Sequence, residues 1–201
     1  MPRALGQIDA RKHQAILDAA SEVLAERGFG ASIEEVARRA GVSKQTIYNH
    51  YKSKTELVRI LVERRRSLVT ATLDQAPPEQ RVEVTLARYA AAILQAMMNP
   101  ASLQLMRMAI TSTTDMPELA RAVYDAGIGA ASRHLANYLS RRPELEIDNP
   151  RRAADVFVGM ATGRLQTRLL MGVESGFEPD QVAARAEEAA DRFVRAYRRT
   201  A

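Results

Sequence analysis

Apolar residues along this chain recur at three- and four-residue intervals, the spacing that collects them on one face of an α-helix. Ile16, Leu17, Ala20, Val23 and Leu24 form such a face. So do Ile33, Val36, Ala37 and Ala40, and later Leu57, Ile60, Leu61 and Leu68. No stretch alternates apolar and polar positions with β-branched residues, so no sheet is expected. Proline is costly inside a helix and tolerated in its first turn. None lies between Pro2 and Pro77, and Pro77, Pro78, Pro100, Pro117, Pro143, Pro150 and Pro179 punctuate the remainder. The pattern predicts an all-α fold of about nine helices.

The element boundaries follow from local signals. The first helix is expected to begin after Asp9 as N-cap and to end before Gly28, with Phe29 folding back onto its core. Ser32-Ile-Glu-Glu35 is a capping box, in which hydroxyl and carboxylate each take a backbone N–H at the helix start. Gly41 ends that short helix, and Ser43 caps the next, from Lys44 to about Tyr51, anchored inward by Ile47 and Tyr51. A second capping box, Ser53-Lys-Thr-Glu56, opens a long fourth helix to about Leu73. Further helices are expected at roughly 79–98, 101–111, 117–141, 150–171 and 179–199. The connections 142–149 and 172–178 are the most polar and are expected to be the most mobile.

Ser32 to Thr55 is the informative stretch. Two short helices meet at the tight turn Gly41-Val42-Ser43. Ala37, a small residue, lets the second helix cross the first closely, and Val42 and Ile47 bury the joint. This is the arrangement of a helix-turn-helix, whose second helix is shaped for the DNA major groove. Bihelical units with a glycine turn also occur in proteins that never touch nucleic acid, so spacing alone leaves both readings open. The side chains facing away from Ile47 and Tyr51 are Lys44, Gln45, Thr46, Tyr48, Asn49 and His50. They offer donors, acceptors and methyl groups without an acid, a set that can meet base edges and phosphates. Ser43, their cap, joins them as a candidate DNA contact. Lys52 and Lys54 follow, and Lys54 with the start of the fourth helix makes an anion site for phosphate.

Charge sharpens this picture. The net charge is +5, and all four lysines (Lys12, Lys44, Lys52, Lys54) lie in the first 54 residues. Between Val36 and Thr55 there is no acid against five bases, Arg38, Arg39, Lys44, Lys52 and Lys54. A one-signed field of this kind suits a polyanion, although a solvated basic face has the same composition. The chain has no cysteine, and its three histidines (His13, His50, His134) are far apart in sequence. Disulfides, thiolate chemistry and a His-rich metal site are therefore not expected. The longest nearly apolar run, Tyr89 to Met98, is half of what a membrane span needs. The opening Met1-Pro-Arg-Ala-Leu-Gly lacks a signal peptide's apolar stretch, and a cytoplasmic location is expected.

The stretch Ser32-Ile-Glu-Glu-Val-Ala-Arg-Arg-Ala-Gly-Val-Ser-Lys-Gln-Thr-Ile-Tyr-Asn-His-Tyr-Lys-Ser-Lys-Thr-Glu-Leu57 resembles the DNA-binding signature of the tetracycline-repressor (TetR) family. The resemblance extends over about residues 9 to 60. It implies a three-helix DNA-binding domain in residues 1–56 and a larger effector-binding and dimerisation domain in 57–201. It also implies a homodimer on palindromic double-stranded operator DNA. Residue by residue, it implies that Lys44, Gln45 and Thr46 probe bases and that Tyr48 and His50 face groove and phosphate. Lys52 and Lys54 match backbone contacts, and the Ser32 hydroxyl matches a cap that can also reach phosphate. Further on, Met116-Pro-Glu-Leu-Ala-Arg-Ala-Val-Tyr-Asp-Ala-Gly127 and Asp148-Asn-Pro-Arg-Arg-Ala-Ala-Asp-Val-Phe-Val-Gly-Met160 resemble the C-terminal domain of the AefR-like subgroup.

The last two predicted helices are the candidates for subunit pairing. One carries Ala153, Ala154, Gly159, Ala161 and Gly163, small residues that permit close helix approach. Dimer contacts are expected from Phe157, Met160 and Leu165, and from Val182, Ala186, Phe193 and Val194 on the final helix, as an isologous four-helix bundle. The same faces could serve instead to complete one chain's own core. Seven of the eight methionines fall between Met97 and Met171, where they can line an adaptable pocket or fill core gaps. Tyr89, Arg107, Tyr124, His134 and Tyr138 are polar groups available to a ligand, and none is assigned to it.

These features together point to a repressor released from operator DNA by an unidentified small-molecule effector lodged among the fourth to eighth helices. No cofactor is expected. An enzyme finds no support: the chain has no phosphate-cradling glycine loop, metal-ligand cluster or Ser/His/Asp spacing. An activator, a ligand-independent regulator on the same fold, and a helical interaction module remain as alternatives.

Overall fold

The computed structural model describes residues 5–199, with side chains from residue 10 onward other than that of Phe29. The position expected for Phe29 therefore lies outside the described side chains. The helices are α1 (Leu5–Arg27), α2 (Ile33–Ala40), α3 (Lys44–His50), α4 (Lys54–Asp74), α5 (Val82–Met98) and α6 (Pro100–Thr111). They continue as α7 (Pro117–Tyr124), α8 (Ala130–Leu139), α9 (Pro150–Thr162), α10 (Leu165–Leu170) and α11 (Pro179–Tyr197). Among the described residues the only β pairing is an isolated antiparallel bridge between Leu145 and Arg198.

Three details differ from the sequence expectation. The first helix starts at Leu5, several residues before Asp9. The helix expected at 117–141 contains a π-helical turn, Asp125–Gly129, between α7 and α8. The helix expected at 150–171 is broken at Gly163, whose φ of 51° and ψ of −130° lie outside the helical region. The break is occupied from α11: the Arg185 Nε donates to the Ala161 carbonyl at 2.7 Å. A Cβ at position 163 would stand 2.5 Å from Arg185 Nη2.

The chain folds as two compact units. One contains residues up to Glu63 together with Pro100–Tyr124. Its core is the apolar face of α1, with Ile16, Leu17, Ala20, Val23 and Leu24 buried, and α2 and α6 both pack on that helix. The other contains Arg64–Asn99 and everything from Asp125 on. There α5 and α11 lie along one another and α9 packs against both and against α8. Aromatic rings run through the middle: Tyr89 to Phe157 at 6.4 Å, Phe157 edge-on to Phe193 at 5.2 Å, and Phe193 to Tyr197 at 4.6 Å between centroids. Each fully buried Phe contributes about 2–3 kcal/mol through burial.

Both polar connections are tied down. The Glu146 N–H donates to the Tyr197 carbonyl at 2.7 Å and the Arg199 N–H to the Glu144 carbonyl at 3.1 Å, with Leu145 buried between them. In the second connection the Phe177 N–H donates to the Met98 sulfur at 3.1 Å.

Candidate nucleic-acid interface

The joint between α2 and α3 is built as its sequence signals demand. Ser32 Oγ accepts the Glu35 N–H at 3.2 Å, and the Glu35 carboxylate accepts the Ser32 N–H at 2.9 Å. That completes the capping box and uses the Ser32 hydroxyl within the protein. Gly41 takes the left-handed conformation, φ 65° and ψ 31°, and the Val42 N–H closes the turn on the Ala37 carbonyl at 3.0 Å. Ala37 is buried, Val42 half-buried. Ile47 and Tyr51 drive α3 onto the core, each with 1% of its surface exposed.

Fixing these two residues inward fixes the outward set. Lys44, Gln45, Tyr48 and Asn49 are exposed, Tyr48 to 43%, while Thr46 and His50 are half-buried. Ser43 Oγ accepts the Thr46 N–H at 3.0 Å and lies 2.8 Å from Thr46 Oγ1. Gln45 donates to Asn49 Oδ1 at 3.0 Å, one turn away on the same face. The Lys44 ammonium sits 5.8 Å from the Tyr48 ring centroid and is ion-paired with Glu34. His50 packs 6.1 Å from the Tyr51 ring and 6.4 Å from that of His13.

The start of α4 differs in detail from a reciprocal capping box. Ser53 Oγ accepts the Glu56 N–H at 3.1 Å, but the Glu56 carboxylate takes the N–H of Lys52 rather than of Ser53, at 2.7 Å. Lys52 stands exposed at this corner and makes no ion pair among the described residues. Lys54 is half-buried and donates to the Ala31 carbonyl, and burial lowers its pKa.

The five bases counted between Val36 and Thr55 are thus not five free charges. Arg39 is bound at 2.9–3.1 Å by Glu26 and Glu22 of α1, which hold its guanidinium firmly protonated. Lys44 is held by Glu34. Sequence reasoning missed Glu34, because the capping-box motif accounts for Glu35 and assigns its neighbour nothing. Only the fold brings position 34 against position 44.

Six of the seven residues expected at a subunit contact are buried within the one chain. Phe157, Ala186, Phe193 and Val194 are buried where α5, α9 and α11 pack together, and Leu165 of α10 and Val182 of α11 are buried in the same unit. Met160 alone of the seven is outward, 40% exposed, and Val156 and Gly159 accompany it on α9. Gly159 is exposed, and a Cβ there would meet nothing outside its own helix within 4 Å. Of the polar groups considered for a ligand, Tyr89 is buried and donates to the Ala131 carbonyl at 3.1 Å. His134 Nε2 lies 2.7 Å from Asp74 Oδ1. Tyr124 is exposed, and the Tyr138 ring lies under the Arg142 guanidinium at 4.3 Å.

Residues 16–61, which hold this geometry, match the model of the bacterial regulatory proteins of the tetR family. Residues 84–199 match that of the AefR-like transcriptional repressor C-terminal domain. The chain belongs to the TetR family of transcriptional regulators. Its fold is that of these regulators rather than of an enzyme. It is 31% identical over 135 residues to the HTH-type transcriptional repressor LfrR of Mycolicibacterium smegmatis, covering 67% of this chain and 68% of LfrR. Against other curated relatives the chain spans less of their length, 31% of one and 62% of another. A TetR-family regulator from Mesorhizobium loti superposes with a TM-score of 0.80 at 24% identity, covering 95% of this chain and 98% of that one. The flavonoid-responsive regulator FrrA superposes with a TM-score of 0.67 at 26% identity, covering 96% and 100%. Among the described residues no helix is long and apolar enough to cross a membrane.

Proposed function

We propose that this TetR-family chain is a repressor that binds palindromic operator DNA as a homodimer and is released by a small-molecule effector. The observation that carries the reading is the presentation of α3. A seven-residue helix is pinned from behind by Ile47 and Tyr51, has no acid of its own, and turns Gln45, Tyr48 and Asn49 to solvent. Residues 1–56 supply the DNA-reading part and 57–201 the effector and dimer part. Lys52 meets the phosphate backbone, and Lys54, at the first position of α4, steadies the loop beside it through Ala31. Ser32 and Ser43 act through the helix starts they cap, and His50 borders the groove.

The repressor sign is supported by the family match and by the name of LfrR, and the effector by the name of FrrA. The dimer is proposed through the outward strip of α9 with Val156, Gly159 and Met160, rather than through the inward faces. It would set two recognition helices one DNA turn apart, ~34–36 Å. The helix α4 runs unbroken from residues of one unit into the other, so an effector bound in the second unit acts on the reading head through it. A tenfold loss of operator affinity requires about 1.4 kcal/mol of coupling.

The test is a titration of a duplex taken from upstream of the protein's own gene, read by gel shift and light scattering. The expected complex holds two chains of 22.2 kDa per duplex, and Tyr48→Ala removes the shift without changing the thermal melt. A shift that survives Tyr48→Ala, or a complex with a single chain, contradicts the proposal.

A further inference from the structure

Glu34 has no part in the capping box, which Ser32 and Glu35 complete between them. It stands in the first turn of α2, exposed, and its carboxylate reaches across the turn to the Lys44 ammonium. Lys44 is the first residue of α3, the end of the helix that approaches base edges in a helix-turn-helix. The contact is mutual. Hydrogen bonding to Lys44 holds the Glu34 carboxyl below its usual range, and the same bond holds the Lys44 ammonium above its own.

A carboxylate oxygen on that ammonium occupies the place a phosphate oxygen or a guanine acceptor would take, with the same kind of charge-assisted hydrogen bond. We infer that Glu34 is an internal competitor of DNA. It occupies Lys44 in the free protein and is displaced on the duplex. This inference rests on the reading that α3 faces DNA. Binding any duplex then requires exchanging one ion pair for another and leaving Glu34 close to phosphates of its own sign. The consequence falls first on sequence-independent binding, where Lys44 finds only a phosphate in return. Glu34 thereby lowers the affinity of the regulator for bulk DNA and cancels one of the cations that would otherwise release counterions.

The experiment measures fluorescence anisotropy on a random-sequence duplex over a range of salt, with wild type, Glu34→Gln, Lys44→Gln and the double variant. An exposed ion pair of this kind predicts about two- to fivefold tighter binding by Glu34→Gln at low salt. The slope of log K against log salt steepens by about 0.9, the share of one released counterion. In the Lys44→Gln background most of the gain from Glu34→Gln disappears. Unchanged affinity and slope in Glu34→Gln overturn the inference. An equal gain with and without Lys44 also overturns it, since Glu34 would then be a surface charge with no tie to Lys44. Failure of the wild-type protein to bind any duplex overturns the DNA reading itself, and is distinct because no variant then has a slope to compare.

Discussion

Tyr48 and Tyr51 sit one turn apart and do opposite work. Tyr48 is turned to solvent, while Tyr51 is buried and its hydroxyl lies 2.8 Å from His13 Nδ1 of α1. Burial pushes the Tyr51 phenol up from 10.0 to about 12. Over the window from about pH 10 to 12 the folded protein keeps a proton that the unfolded chain gives up, so stability falls as pH rises through it. Tyr51→Phe is expected to lose about 1 kcal/mol at neutral pH with its hydrogen bond, and to show a shallower alkaline loss than wild type. Urea unfolding at neutral and alkaline pH checks this, and parallel losses in the two proteins contradict it. The inward role of Tyr51 was legible in the sequence because Ile47 and Tyr51 share a helical face. The ion pairing of the neighbouring bases was not. Glu22, Glu26 and Glu34 lie outside the acid-free window from Val36 to Thr55, and the fold carries them back onto Arg39 and Lys44.

Helix boundaries were legible where a capping residue or a left-handed glycine marks them, although the Asp9 signal misplaced the start of α1. Ser32, Ser43 and Asn149 each accept a backbone N–H in the first turn of the helix that follows, and Gly41 ends α2 in the left-handed region. Gly163 carried no such mark. Apolar spacing and helix-forming residues continue across it, and the break depends on Arg185, which arrives from a different helix. Gly159 within α9 and Gly163 just past its end therefore behave differently. Gly163→Ala places a side chain at φ 51° and drives a Cβ against Arg185, with an expected loss of about 1–3 kcal/mol. Gly159→Ala, in a helix with open space beside it, gains about 0.5–1 kcal/mol for the isolated subunit. Chemical denaturation of both variants distinguishes them, and equal effects of the same sign contradict this account of the break.

At the scale of the molecule, the apolar faces of α9 and α11 announced burial without announcing what they are buried against. Phe157 and Phe193 meet each other at 5.2 Å within one chain, so the strength of an apolar stripe in sequence does not separate core from interface. The packing of α6 on α1 was equally silent, since each helix shows an apolar face and neither names its partner. The outward face of α3 was more legible than either, because it consists of the residues left over once Ile47 and Tyr51 are buried. Lys52 is exposed and has no ion pair among the described residues. The most direct measurement is the salt dependence of binding to the upstream duplex for wild type and Lys52→Ala. Wild-type log K should fall steeply and linearly with log salt, and Lys52→Ala should bind more weakly with a slope shallower by about 1. A flat salt profile, or a Lys52→Ala curve that overlies wild type, would mean that this face does not meet a duplex.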